Sequence, residues 1–225
     1  MNKIVLSGET IELEKYMNAT EIIVQKDCVL NSVNLGDNIY LHIILKEGAN
    51  LTFNLFDFAP NIQSKIVVDS YDNATFTLNS SFICENKYEL DIETNVLGNN
   101  VNNRVNIRGI NEKNGFVRIE MNGNVGKNTK NSVLSEYAKI INKSVELNVL
   151  VPNLKCDTNL TTANHGVTIA SVDKDALNYL KTKGIREKMA SKIIEEGFIE
   201  SIMDEPLRKR IKNILIGRWL KWILK

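Results

Sequence analysis

The amino-acid sequence predicts a mainly β protein: a parallel β-helix over residues 1–170, followed by a small α-helical domain over residues 171–225. Three observations predict it. Short runs of alternating apolar and polar residues recur from about residue 40 to 160, among them "YLHIIL", "NLTFNLF", "ATFTLNS", "YELDIE", "RVNIRGI" and "VELNVLV"; half-buried strands have this pattern. The connectors between them ("KEGAN", "SYDNA", "NVLGNNVNN") are built from Asn, Gly and Asp, which tolerate left-handed backbone angles. After Asp173 the apolar spacing changes from that of a strand to that of a helix.

Taken in order, "IVL", "TIEL" and "TEIIVQ" read as short strands that begin the same stack, with no separate N-terminal helical domain. The body of many short strands admits a sandwich, an up-and-down barrel or a β-helix. Two features favour a β-helix with about two strands per coil. Tight hairpin signals are scarce, since only "MNGNV" sets Asn-Gly between two strand-like runs. Stacked coils also bring equivalent turns over one another, where Asn side chains can bond along the stack. The lack of a strict hexapeptide repeat argues against the left-handed acyltransferase type.

The helical part opens with Ala176, Leu177 and Leu180 on one face. Asp173 or Ser171 can cap that helix, and Gly184 stands at its C′ position. A second helix is expected from about Arg186 to Glu196, with Met189, Ile193 and Ile194 on one side and Gly197 as its stop. After a turn at "FIESIM", Pro206 suits the first turn of a last helix. Its apolar stripe is Leu207, Ile211, Ile214, Leu215, Trp219, Trp222 and Ile223.

The chain of 225 residues is 43% hydrophobic and 24% charged, enough for an ordinary buried core. A net charge of +1 supplies no general attraction to nucleic acid or to anionic membranes, so neither is an expected partner. The seven basic residues near the end (Arg208, Lys209, Arg210, Lys212, Arg218, Lys221, Lys225) read as the solvated face of a packed helix. The N-terminus lacks the apolar core of a signal peptide, and no run is long enough to span a membrane. Cys28, Cys84 and Cys156 match neither a disulfide framework nor a metal knuckle, so the expected location is the cytoplasm.

No GxSxG, GxxxxGK[ST] or HExxH pattern is present, and two histidines exclude a three-His metal site. The chain reads as a non-enzyme. His42, inside an alternating strand, reads as structural. His165, at the seam between strands and helices, is the residue that stands out: its imidazole can ligate a borderline metal, carry a proton, or simply bond a neighbouring carbonyl.

The seam continues as an ordered series: His165-Gly166-Val167-Thr168, Asp173, Leu177-Asn178-Tyr179-Leu180, Lys183-Gly184-Ile185, Ala190, Ile194 and Gly197-Phe198. In this series, residues 152–200 resemble the C-terminal part of the SufB/SufD family of iron–sulfur cluster assembly proteins. The resemblance implies a right-handed parallel β-helix in a scaffold subunit that is not itself catalytic. A SufC-type ABC ATPase would dock on the helical domain, with Asp173, Leu177, Tyr179, Leu180, Gly184, Ile185, Gly197 and Phe198 as the partner-binding positions. His165 would lie at the interface with a SufB-like chain or a second copy of this one, as the candidate residue for cluster assembly and metal ligation. No intrinsic cofactor is implied beyond a transient iron–sulfur cluster.

Gly166 stands where SufB-type members tend to carry Glu, which points to the SufD-like side, in a short form of the family. Ala163 stands where SufD relatives often carry Cys, leaving Cys156, the nearest thiol, as a second candidate for the interface and cluster assembly. The alternative reading is a structural or ligand-binding β-solenoid, or an interaction platform, with no role in cluster assembly.

Overall fold

The structure is a computed structural model that describes residues 3–16, 20–34 and 38–223, with side chains described as far as residue 216. The chain alternates between two sheets. One holds β1 (Lys3–Leu6), β3 (Glu21–Val24), β5 (Ile39–Leu45), β7 (Asn61–Ser70), β9 (Lys87–Val96), β11 (Phe116–Val125) and β13 (Val149–Cys156), side by side in that order. The other holds β2 (Thr10–Glu12), β4 (Cys28–Val33), β6 (Asn50–Asp57), β8 (Thr75–Cys84), β10 (Asn102–Asn111), β12 (Val133–Asn142) and β14 (Thr162–Ala170). All the pairs between these strands are parallel. Sandwiches and up-and-down barrels are built from antiparallel neighbours, so the fold is a parallel β-solenoid with two strands per coil.

Strand alternation sets the core. In β9 the inward residues Tyr88, Leu90, Ile92, Thr94 and Val96 are buried and alternate with half-buried Glu89, Asp91, Glu93 and Asn95. Register then stacks inward residues in columns such as Ile11–Leu30–Phe53–Leu78–Val105. A single coil cannot bury such a row, and its neighbours above and below do so. The first coil shares in this: Leu6, Ile11 and Leu13 are buried.

Asparagine stacks along the solenoid in two ways. At one corner Asn73, Asn100 and Asn131 all have positive φ, between 54° and 59°, and Asn100 Nδ2 donates to Asn73 Oδ1 at 3.0 Å. This is the turn stacking expected of the connectors. A second ladder runs inside the strands: Asn54 donates to Asn31, Asn79 to Asn54 and Asn106 to Asn79, at 3.0, 3.0 and 3.1 Å. The Asn122-Gly123 pair makes no turn; it lies within β11, whose register with β9 is unbroken.

After β14 come α1 (Lys174–Thr182), α2 (Glu187–Glu200) and α3 (Glu205–Ile223). The Asp173 carboxylate caps α1, accepting from the backbone N–H groups of Asp175 and Ala176. Gly184 follows the helix with φ +82°, a conformation costly for any side chain. Gly197 does not stop α2, which runs on to Glu200. A helical glycine costs about 1 kcal/mol, and burying Ile199 just beyond it outweighs that cost. Ile199, Met203, Leu207, Ile211 and Leu215 form one apolar cluster with Phe56, Ile83, Ile110 and Ile141 on the outer face of the even-numbered sheet. The side chains of Trp219, Trp222 and Ile223, and of Arg218, Lys221 and Lys225, lie outside the described residues.

Among the described basic residues of α3, Arg208 and Arg210 are engaged within the molecule. Arg210 pairs with Glu12 and Glu14 of the first coil. Arg208 Nε donates to the carbonyls of Glu200 and Met203.

Candidate functional site

The stack ends at β13 and β14, each the last strand of its sheet. Register carries the inward phase onto this last coil. Ala163, His165, Val167 and Ile169 of β14 lie beside Leu134, Glu136, Ala138 and Ile140 of β12. Leu150, Pro152, Leu154 and Cys156 of β13 lie beside Ile119, Met121, Gly123 and Val125 of β11. Elsewhere such rows are covered by the next coil. Here Ile169 is 48% exposed, whereas Ile140 beneath it is 0%. Exposed Val145, Leu147 and Leu160 extend the apolar surface around the rim. The last coil thus presents an apolar surface beside the outer edges of β13 and β14.

His165 lies on this end, exposed, in the column that runs Ile11, Leu30, Phe53, Leu78, Val105, Glu136. The column is apolar until its last two rungs. Glu136 is fully buried; its Oε1 accepts a 2.6 Å hydrogen bond from Thr94 Oγ1, and its Oε2 has no partner. Loss of solvation pushes this carboxyl up to about 7, partly offset by the Thr94 bond. Across the lumen Gly123 makes the arrangement possible, because a Cβ there would lie 2.9 Å from Glu136 Oε2 and 2.7 Å from Leu134 Cδ2. Sequence reasoning missed Glu136. The available signal was its phase, since it shares the inward parity of Leu134, Ala138 and Ile140.

The other seam residues fall into place around this end. Cys156 is an exposed free thiol at the end of β13, its Sγ set 3.2 Å from the Thr158 carbonyl. It belongs to the opposite sheet from His165 and stacks beside Val125. Ala163 faces inward and packs with Leu154 against Val96, Val101, Val125 and Leu134. Gly166 faces outward at the end of the strand asparagine ladder, beside Tyr137. A Cβ at Gly166 would sit 3.1 Å from the Tyr137 ring, a contact tighter than most. Among the described residues no three His, Cys, Asp or Glu side chains converge as a metal site. His42 is tied to Asp69 at 2.8 Å, a pairing along the stack.

The helical positions divide by exposure. Tyr179 is 62% exposed, with Lys183 Nζ 5.4 Å from its ring centroid. Met189 and Ile193 on α2 are also exposed, giving the α1–α2 hairpin an outward apolar surface. Leu177, Leu180 and Ile185 are half-buried, while Asp173 and Gly184 shape the ends of α1. Phe198 turns toward the solenoid, with the Arg108 guanidinium 5.2 Å and Lys139 Nζ 5.9 Å from its ring. Between the hairpin and the even-numbered sheet lies a cleft of about 840 Å³. At its wall Lys143 bridges Glu112 and Glu195, at 2.9 and 3.1 Å.

Comparison with known proteins fits this architecture. The chain matches the model of the SUF system FeS cluster assembly, SufBD core domain, over residues 14–198. The iron–sulfur cluster assembly protein SufD of Plasmodium falciparum is 33% identical over 89 residues, 37% of this chain and 6% of that protein. An iron–sulfur cluster assembly SufBD family protein of Synechocystis is 32% identical over 76 residues, 34% of this chain and 15% of that one. The chain thus spans a small part of the length of these relatives. No described helix is long and apolar enough to cross a membrane. The family match runs from just after β2 through most of α2, across the open end and the capped seam alike, and on that extent the chain belongs to the SufBD family of iron–sulfur cluster assembly proteins.

Proposed function

We propose that this chain is a SufD-like scaffold subunit of an iron–sulfur cluster assembly complex, non-catalytic by itself and acting in the cytoplasm. The observation that carries the reading is the uncovered last coil, where Val167 and Ile169 of the inward-facing row of β14 are exposed next to His165. Such an end is covered by another solenoid end, from a SufB-like chain or a second copy. Joining the two ends places His165 at the junction, where an imidazole suits iron. Because no three donors converge among the described residues, a nascent cluster completes its ligand set with groups from the second chain. The cluster is cargo, built there and passed on.

The α1–α2 hairpin is the proposed dock for a SufC-type ABC ATPase, through Tyr179, Met189 and Ile193. Asp173 and Gly184 act there by fixing the ends of α1, and Phe198 by seating α2 on the solenoid. Co-expression with a SufC-type ATPase is expected to yield a complex that Tyr179→Ala with Ile193→Ser dissolves. A complex that survives this double change and the deletion of residues 172–225 rules out the docking role. Anaerobic reconstitution with iron and sulfide tests the rest: His165→Ala is expected to lower cluster yield. Equal yields would favour the alternative, an interaction platform of this fold with no role in assembly.

A further inference from the structure

The lumen of the solenoid is apolar along the His165 column except at Glu136, and its surroundings are altered to suit that carboxyl. Thr94 and Gly123 stand in register on the facing sheet, following Val68, and occupy two successive rungs. One supplies a hydroxyl to Glu136 Oε1, and the other omits the side chain that Oε2 would strike. A buried carboxylate oxygen without a partner is costly, and a leucine would continue the column at no such cost. The register partner of Glu136 on the last coil is His165, on the same inward phase and about 5 Å away along the stack.

We propose that Glu136 is a second donor of the His165 site, a lumen-side carboxylate that takes a divalent first-row metal ion such as iron(II) through its free Oε2. The Thr94 hydroxyl holds Oε1, the outer hydrogen bond that orients a ligating carboxylate. One imidazole and one carboxylate suit iron(II). The remaining positions belong to water or to the second chain, since no third donor joins them among the described residues. The inference rests on the proposed role of His165 and adds to it a residue from the coil beneath.

The test is anaerobic titration of the purified full chain with cobalt(II), whose visible absorption reports its ligands. Wild type is expected to bind one ion per chain. Glu136→Gln and His165→Ala should each weaken binding at least about tenfold and shift the bands, and Thr94→Val should weaken it by about ten- to a hundredfold. Glutamine keeps the shape of Glu136 and its hydrogen bond to Thr94, so a structural role alone leaves cobalt affinity unchanged. Wild-type affinity in Glu136→Gln, or no cobalt bands in wild type, overturns the inference. Cluster yield separates the two levels. If His165→Ala leaves the yield intact, the proposed site fails; if His165→Ala lowers it while Glu136→Gln leaves cobalt binding untouched, only the role of Glu136 fails.

Discussion

The central coils and the terminal coil are made by the same alternating pattern, yet they face different surroundings. Leu78 and Val105 lie in the middle of a column with a coil on either side and are fully buried. Two rungs further on, the same column ends in a buried carboxyl and an exposed imidazole. In a solenoid each row owes its burial to its neighbours, so the end row has half the support and the most freedom for chemistry. Burial is greatest in the middle, and the proposed recognition surface lies where the stack runs out.

Substitutions at matched positions can break this contrast. The largest effect is expected in the middle: Leu78→Ala should cost about 2–5 kcal/mol, measured by urea unfolding. Next comes the pH response of Glu136. Its folded carboxyl titrates at about 7 against an ordinary 4.5, so its contribution is full below 4.5 and is lost as pH rises through 7, roughly 3 kcal/mol in all. The difference in unfolding free energy between Glu136→Gln and wild type should therefore shift in favour of the glutamine variant from pH 5 to pH 8. A constant difference would show that this carboxyl titrates normally.

A smaller effect is expected in the strand ladder, where Asn54 both donates to Asn31 and accepts from Asn79. Asn54→Ala leaves both partners short of a bond and should cost about 1–3 kcal/mol by thermal unfolding. Ile169→Ser on the open end should change the stability of the single chain least, by about 0.5 kcal/mol or less, as exposed positions do. The same change should abolish end-to-end association in sedimentation experiments. If Ile169→Ser instead destabilises the chain as much as Leu78→Ala, the contrast between middle and end is wrong.

Much of this was legible in the sequence because it rests on local rules. Strand alternation, connector asparagines, the Asp173 cap and the left-handed Gly184 each need only a few neighbouring residues. What escaped depends on stacking. Asn122-Gly123 has the composition of a turn, but β9 holds that segment straight as a strand. Gly197 has the chemistry of a helix stop, but Ile199 and the sheet beneath it carry the helix past. The site was half visible: His165 stood out by rarity and by its ordered surroundings, whereas Glu136 matters through Thr94 and Gly123, residues distant in sequence. Phe198 looked available to a partner and is instead turned toward Arg108 and Lys139.

The two ends of the solenoid are not alike, and that difference bears on the end-to-end pairing proposed above. The inward residues of the first coil, Leu6 and Ile11, are 2% and 7% exposed, while Ile169 at the other end is 48% exposed. A β-helix with two bare ends could join head to tail and grow into a fibre. Under the end-to-end pairing proposed above, the exposed end is used once, end against like end, in a two-fold pair. Under that proposal the polarity of the stack acts as a length limit, favouring a closed pair over the repeat that a filament needs.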